Sequence, residues 1–206
     1  MADLLDEHYG YLSDRVKLAR YKAVIDQLVR PEHVVLDLGC GSGLLGLMAL
    51  RAGARTVLFV EEGSIIEMAR RTVANAGFGD RAEFYQKRSF ELDLAEKADI
   101  VVCDHVGYFG IDYDILKLLA DAKERFLKPG GILVPGKISL MLAPVESGKC
   151  RSLVQRWQDG SVPDDYGWVA NAVANTKLAV DLEADDLIAI PSVLDTLEFG
   201  PDAAEF

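Results

Sequence analysis

The sequence predicts an α/β fold built on a parallel β-sheet with helices on both faces. Three observations carry this expectation. Strand-like apolar runs alternate with helical patterns through the first 140 residues or so, an order that gives parallel strands joined by right-handed crossovers. The strands are nearly continuous in apolar residues, which suits a sheet buried on both faces. The first strand runs into its helix through a glycine turn, LDLGCGSG at 36–43.

The elements follow in order. Leu12, Val16, Ala19, Ala23 and Leu28 recur at helical spacing and predict an N-terminal helix over 12–29. HVVLDLGCGSGLLGLMALRAGA reads as strand, turn and helix, and TVLFVEE as a second strand. SIIEMARRTVANAG is a second helix of this alternation, with Ser64 as cap and Gly77 as stop. AEFYQ and ADIVVCD are the third and fourth strands. DYDILKLLADAKERFL is a helix with Ile115, Leu118, Leu119, Ala122 and Phe126 on its apolar face. PGG ends it and ILVPG is the fifth strand. KISLMLAP is a further strand, 146–175 is mostly polar, and the last segment reads as two short strands around a turn. The alternation is lost near residue 140. The expected division is therefore 1–140, an α/β domain with an N-terminal helical cap, and 141–206, a short β-rich extension.

With 206 residues, half of them hydrophobic, the chain has enough apolar material for a core, so disorder is not expected. The net charge of −11 argues against a nucleic-acid partner; an acidic surface can attract a cationic substrate, but general solubility is the simpler explanation of it. Cys40, Cys103 and Cys150 are odd in number and lack CxxC spacing, and His8, His33 and His105 are scattered. Neither a disulfide framework nor a metal site is expected. The N-terminus lacks the pattern of a signal peptide, and no apolar run is long enough to span a membrane. A cytoplasmic setting is the expectation.

The glycine turn carries the chemistry. Gly39, Gly41 and Gly43 allow a sharp bend and a close approach of backbone to ligand. Gly41, Gly43 and Gly46 also meet the G-x-G-x-x-G spacing of dinucleotide sites. Two acids shift the balance away from that reading. Asp37, just before the first glycine, would repel a pyrophosphate but orient an ammonium group. Glu61, ending the second strand, can accept both hydroxyls of a ribose. This pattern suits S-adenosylmethionine.

The residues VVLDLGCGSGLLGLMALRAGARTVLFVE, LSDRVKLARYKAVI, DHVGYFGIDYDIL and LKPGGILVPGKISLML together resemble class I S-adenosylmethionine-dependent methyltransferases, and more closely the protein arginine methyltransferases. The resemblance runs from about Tyr9 to Leu142 and continues weakly to the end. It implies a Rossmann-like domain with a helix closing over the cofactor, followed by the start of a barrel. It also implies methyl transfer that leaves S-adenosylhomocysteine. By the same resemblance Asp37, Gly39, Cys40 and Gly41 frame the methionine end, Glu61 holds the ribose, and Ser89 meets the adenine. Lys17 stands where the family has an arginine for the cofactor carboxylate, and Asp14 matches a family aspartate that pairs with a barrel histidine.

The family's substrate loop has two glutamates. Here the first is Asp104 and the second is Asp114 or Asp112, so both side chains are shorter. Asp112 also suits a helix N-cap, with Asp114 in the first turn. His105 replaces the family's tryptophan, either as a general base or as a filler of its space. The implied acceptor is a protein arginine or related cationic nitrogen on a peptide. A small-molecule acceptor and a non-catalytic binding module are the alternatives, and a dinucleotide-dependent oxidoreductase is a weaker one. Unpaired strand edges in the extension predict a homodimer or poor solubility rather than a clean monomer.

Overall fold

The computed structural model describes residues 2–107, 114–178 and 180–199. Five parallel strands form one sheet: β1 (Val34–Leu38), β2 (Thr56–Glu61), β3 (Ala82–Gln86), β4 (Ala98–Val102) and β5 (Leu127–Val134). Their order is β3-β2-β1-β4-β5. The chain winds outward from β1 to β3, then crosses back to β4 and β5. The direction reverses between β1 and β4, so their carboxyl ends open a crevice at the topological switch point, where ligands bind in such sheets. Asp37 pairs in register with Phe59 on one side and Val102 on the other.

Every residue of β1 is buried, because helices cover both faces. On one face Val35, Val57 and Phe59 pack with Tyr21, Ile25, Leu45, Leu50, Ile66 and Val73. These come from α2 (Arg15–Leu28), α3 (Leu44–Arg51) and α4 (Ile66–Asn75). On the other face Leu36, Leu58 and Val101 pack with Ile115, Leu119, Ala122 and Phe126 of and just after α5 (Ile115–Arg125). The predicted face of α5 is thus the buried one, with Leu118 at its margin.

Four boundaries differ from the sequence expectation. α4 starts at Ile66 with Ile65 rather than Ser64 at its cap position, and no side chain caps it. The N-terminal helix is two helices, α1 (Ala2–Ser13) and α2. Asp14 separates them, its side chain accepting from the Lys17 N–H at 3.0 Å. A short acid that satisfies a free helix-start donor favours a new start over continuation. The fifth strand begins at Leu127 rather than Ile132. Leu127 pairs with Ala98 and Ile132 with Ile100, so the KPGG between them bulges out. A Cβ on Gly131 would come within 2.9 Å of the Asp99 carbonyl, so the bulge needs glycine there. The polar stretch after 146 is not featureless, but folds into α6 (Gly148–Gln155) and α7 (Val169–Ala174).

The chain divides into two compact units. One runs to Ile138 and takes in the end of the last strand from Leu197, and the other is Ser139–Thr196. In the second unit Val145 bridges Leu187 antiparallel, the Glu146 N–H donates to the Asp186 carbonyl, and that of Ile188 to the Pro144 carbonyl. β6 (Lys137–Leu142) and β7 (Ser192–Glu198) make a two-stranded sheet. So the final segment contributes one strand and one bridge where two strands were expected. No helix among the described residues is long and apolar enough to cross a membrane.

Candidate functional site

The site is built on the carboxyl ends of β1, β2 and β4. The glycine turn after β1 needs its glycines for different reasons. Gly39, Gly41 and Gly43 have φ of 68°, 51° and 79°, left-handed values costly for other residues. A Cβ on Gly43 would lie 2.6 Å from that of Ala69. Gly46, one turn into α3, would drive a Cβ to 2.2 Å from Phe59. These contacts press α3 against the sheet and hold the turn over Asp37.

Asp37 is 2% exposed. Its Oδ2 accepts the Gly46 N–H at 2.7 Å. Burial pushes its carboxyl up to about 7; the Gly46 bond opposes the rise, and the nearby charges of Asp104 and Glu61 add to it. A carboxyl in this state gains strongly from a cation placed beside it.

Glu61 turns back over the same loop. Its Oε2 accepts from the Gly41 N–H at 3.1 Å and its Oε1 from the Gly63 N–H at 2.7 Å. Each oxygen keeps acceptor capacity beyond these bonds, so a pair of hydroxyls can still be taken bidentately. The donor set therefore fits the group the sequence suggests: a carboxylate for vicinal hydroxyls, a second for an ammonium, and a glycine backbone between them.

Cys40 lies buried in the turn and Cys103 ends β4. Burial raises the Cys103 thiol to about 12, and it raises Cys40 too, with Asp37 and Glu61 adding to the effect. Both thiols stay protonated near neutral pH, so neither is a nucleophile.

Asp104 follows β4. Its Oδ2 accepts from the Lys17 Nζ at 2.6 Å, with side chains 27% and 30% exposed for Lys17 and Asp104. Lys17 also lies 5.1 Å from the centre of the Tyr11 ring. One helical turn on, Tyr21 donates its hydroxyl to the Cys103 carbonyl at 3.1 Å. Burial, then the Asp104 charge, raises the Tyr21 phenol well above its usual value, so it remains a neutral donor. His105 stands by the turn, its Nδ1 at 3.7 Å from where a Gly39 Cβ would be. His8, buried on α1, lies closer still to Gly41.

Ser89 is buried in a 3-10 turn after β3, and its carbonyl accepts from Arg125 at 2.7 Å. Asp114 stands at the start of α5 with φ 57°. Its side chain is 74% exposed and pairs with Lys117 at 3.0 Å. Among the described residues no hydrogen bond or ion pair joins Asp114 to Asp104. Asp112 lies outside the described residues. Asp14 is occupied as the cap of α2.

The structure thus joins Asp37, Gly41, Glu61, Lys17, Asp104 and His105 at one end of the sheet. It adds Tyr21, His8 and Arg125, which the sequence reading did not single out. Tyr21 carried a usable signal, four residues after Lys17 on the same helical face. Arg125 showed only its i,i+4 spacing to Asp121; the approach of His8 to Gly41 and of Arg125 to Ser89 joins residues distant in sequence and left no local signal.

A family model described as ribosomal protein L11 methyltransferase (PrmA) matches residues 22–176. The chain belongs to this methyltransferase family. Among curated relatives it is 30% identical over 189 residues to "Protein arginine N-methyltransferase 1" of Chlamydomonas reinhardtii, covering 88% of this chain and 53% of the relative. To the protein of that name in Saccharomyces cerevisiae it is 32% identical over 161 residues, covering 74% of this chain and 46% of the relative. The chain spans about half the length of the curated relatives it matches. Among solved structures, the Trypanosoma brucei PRMT1 enzyme-prozyme heterotetrameric complex with AdoHcy superposes with a TM-score of 0.83. It is 23% identical, over 93% of this chain and 61% of that one. That likeness speaks for the fold. The methyltransferase is thus class I in architecture and resembles protein arginine methyltransferases, as its sequence motifs imply.

Proposed function

We propose that this methyltransferase transfers a methyl group from S-adenosylmethionine to a protein arginine or related cationic nitrogen. The observation that carries the reading is the placement of two acids around one glycine turn. Asp37 lies buried beneath it and Glu61 bonds across it. Bound there, S-adenosylmethionine supplies a sulfonium methyl group open to direct displacement. Glu61 takes the ribose hydroxyls, Asp37 the ammonium group, Lys17 the carboxylate, and Ser89 the adenine. Gly39, Cys40 and Gly41 give the backbone surface between them.

Asp104 holds the acceptor N–H groups and stabilises the positive charge that the nitrogen carries as it gains the methyl. The nitrogen lone pair would make the new N–C bond as the bond from the methyl to sulfur breaks. The electron pair of that broken bond would stay with the departing S-adenosylhomocysteine, and His105 would take the proton the nitrogen then sheds. We assign the cofactor site and the catalytic acids to residues 1–140, with Asp114 as the second acid facing a cationic peptide, and further acceptor recognition to residues 141–206. The three free thiols support a reducing, cytoplasmic setting. The exposed apolar residues Met141, Leu142, Val193 and Leu194 support self-association as a homodimer. A monomeric mass by light scattering would overturn that part.

A second reading has its own support. Asp104 is shorter than a glutamate and is already paired with Lys17, which favours a small-molecule acceptor in the same site. Methyl transfer from radiolabelled S-adenosylmethionine decides between them, with an arginine-rich peptide and a small-molecule extract in parallel. Label in the peptide that falls about 100-fold or more in Asp104→Asn is expected, since a lost transition-state contact costs that much. Label confined to the extract would replace the first reading by the second. Cofactor binding without transfer to either would leave a binding module.

A further inference from the structure

Lys17 and Asp104 stand 87 positions apart in sequence and meet at 2.6 Å. The proposed reaction asks a different task of each. Lys17 is to hold a carboxylate, and Asp104 is to hold a cation. Paired with each other, they sum to zero charge, and a neutral pair has little attraction for a guanidinium or ammonium acceptor. The groups facing Asp104 are the Lys17 ammonium, the Tyr21 phenol and, farther off, the buried Asp37. Lys17 is the only cation paired with Asp104 among the described residues.

We propose that this ion pair is a latch that couples acceptor binding to cofactor binding, each favouring the other. The inference rests on the cofactor reading above. The cofactor's amino-acid end is a zwitterion, and the site divides it. Its ammonium goes to Asp37 and its carboxylate to Lys17. Once a carboxylate shares or captures the ammonium, the group of three carries one uncompensated negative charge. That charge lies on or beside Asp104, where a cationic acceptor needs it. The argument holds whether the lysine leaves Asp104 or bridges both, because an ammonium has three donors. By linkage the acceptor then strengthens cofactor binding by the same factor.

Calorimetry on the full chain tests this without turnover. The probes are S-adenosylhomocysteine and 5′-methylthioadenosine, which keeps the nucleoside but lacks the amino-acid end. Asp104→Asn removes the competitor for Lys17, so it should tighten S-adenosylhomocysteine binding by roughly 2- to 5-fold, the worth of a partly exposed ion pair. It should leave methylthioadenosine unchanged, and that also shows the variant is folded. Lys17→Met should weaken S-adenosylhomocysteine binding, and in that background Asp104→Asn should bring no gain. In the wild type, ethylguanidine should bind more tightly with S-adenosylhomocysteine present than without. Unchanged or weaker binding in Asp104→Asn would overturn the latch. So would a gain that persists in Lys17→Met, since it would report simple repulsion. If neither nucleoside binds the wild type, the cofactor reading itself fails. If both bind and the cycle shows no coupling, only the latch fails.

Discussion

Asp37→Asn separates what the site costs the fold from what it does for the ligand. In the folded chain the Asp37 carboxyl titrates at about 7, against 3.8 for an unburied one, chiefly because it is buried. Between those two values the folded chain keeps the proton and the unfolded chain has lost it. The folded state binds more protons there, so stability falls as pH rises from about 4 to about 7 and is level above. The fall covers about 3 pH units at roughly 1.4 kcal/mol each, or about 4 kcal/mol carried in full at pH 8. Asparagine has nearly the same shape, can still accept the Gly46 N–H, and never ionises. The variant should therefore exceed the wild type by up to about 4 kcal/mol at pH 8 and by little at pH 4.5. Urea unfolding of both proteins across that range gives the difference directly; carboxyls far from Asp37 cancel in it, and Asp104 and Glu61, which raise Asp37, add to the gain. The same variant should bind S-adenosylhomocysteine more weakly, because the ammonium loses its carboxylate. In the wild type, affinity should decline as pH drops below about 7. A variant no more stable at pH 8 than the wild type would refute the reasoning, since it would mean that the carboxylate is held by donors outweighing its burial.

Two further predictions follow from particular contacts. Gly43→Ala places a Cβ 2.6 Å from that of Ala69 at a φ of 79°. Left-handed strain of about 1–2 kcal/mol and overpacking of about 1–3 kcal/mol should lower its melting temperature clearly below the wild type's, as calorimetry will read. Arg125→Met removes the donor to the Ser89 and Leu92 carbonyls and the partner of Asp121. It should cost about 1–3 kcal/mol in urea unfolding. It should also weaken methylthioadenosine, whose adenine end Ser89 is proposed to meet. Unchanged methylthioadenosine affinity would remove Ser89 from the cofactor site.

What was legible in the sequence was what lies within a single element or at one junction. The apolar run of β1 with one acid in it placed a carboxyl just before the turn, and the cover on both faces of the sheet is what buries it. The glycines after it told of a turn that admits a ligand, and Glu61 stood at the end of the next strand. The face of α5 followed from spacing alone. The break at Asp14 was harder, because 12–29 keeps helical spacing across it, and only the side chain's bond to the Lys17 N–H decides for a new start. The helices after residue 146 were missed because they bury little. Pairings between distant elements lay beyond any local pattern. Lys17 and Tyr21, four residues apart, were bound to share a face of α2. Which loop that face would meet depended on the sheet order, where β4 lies directly beside β1. That adjacency brings residues 103 and 104 to α2 and turns a surface-looking lysine into the partner of the acid proposed to hold the acceptor. The charge on Asp104 is thus set by strand order as much as by residue type, and so an aspartate in place of a glutamate does not by itself say which nitrogen is methylated.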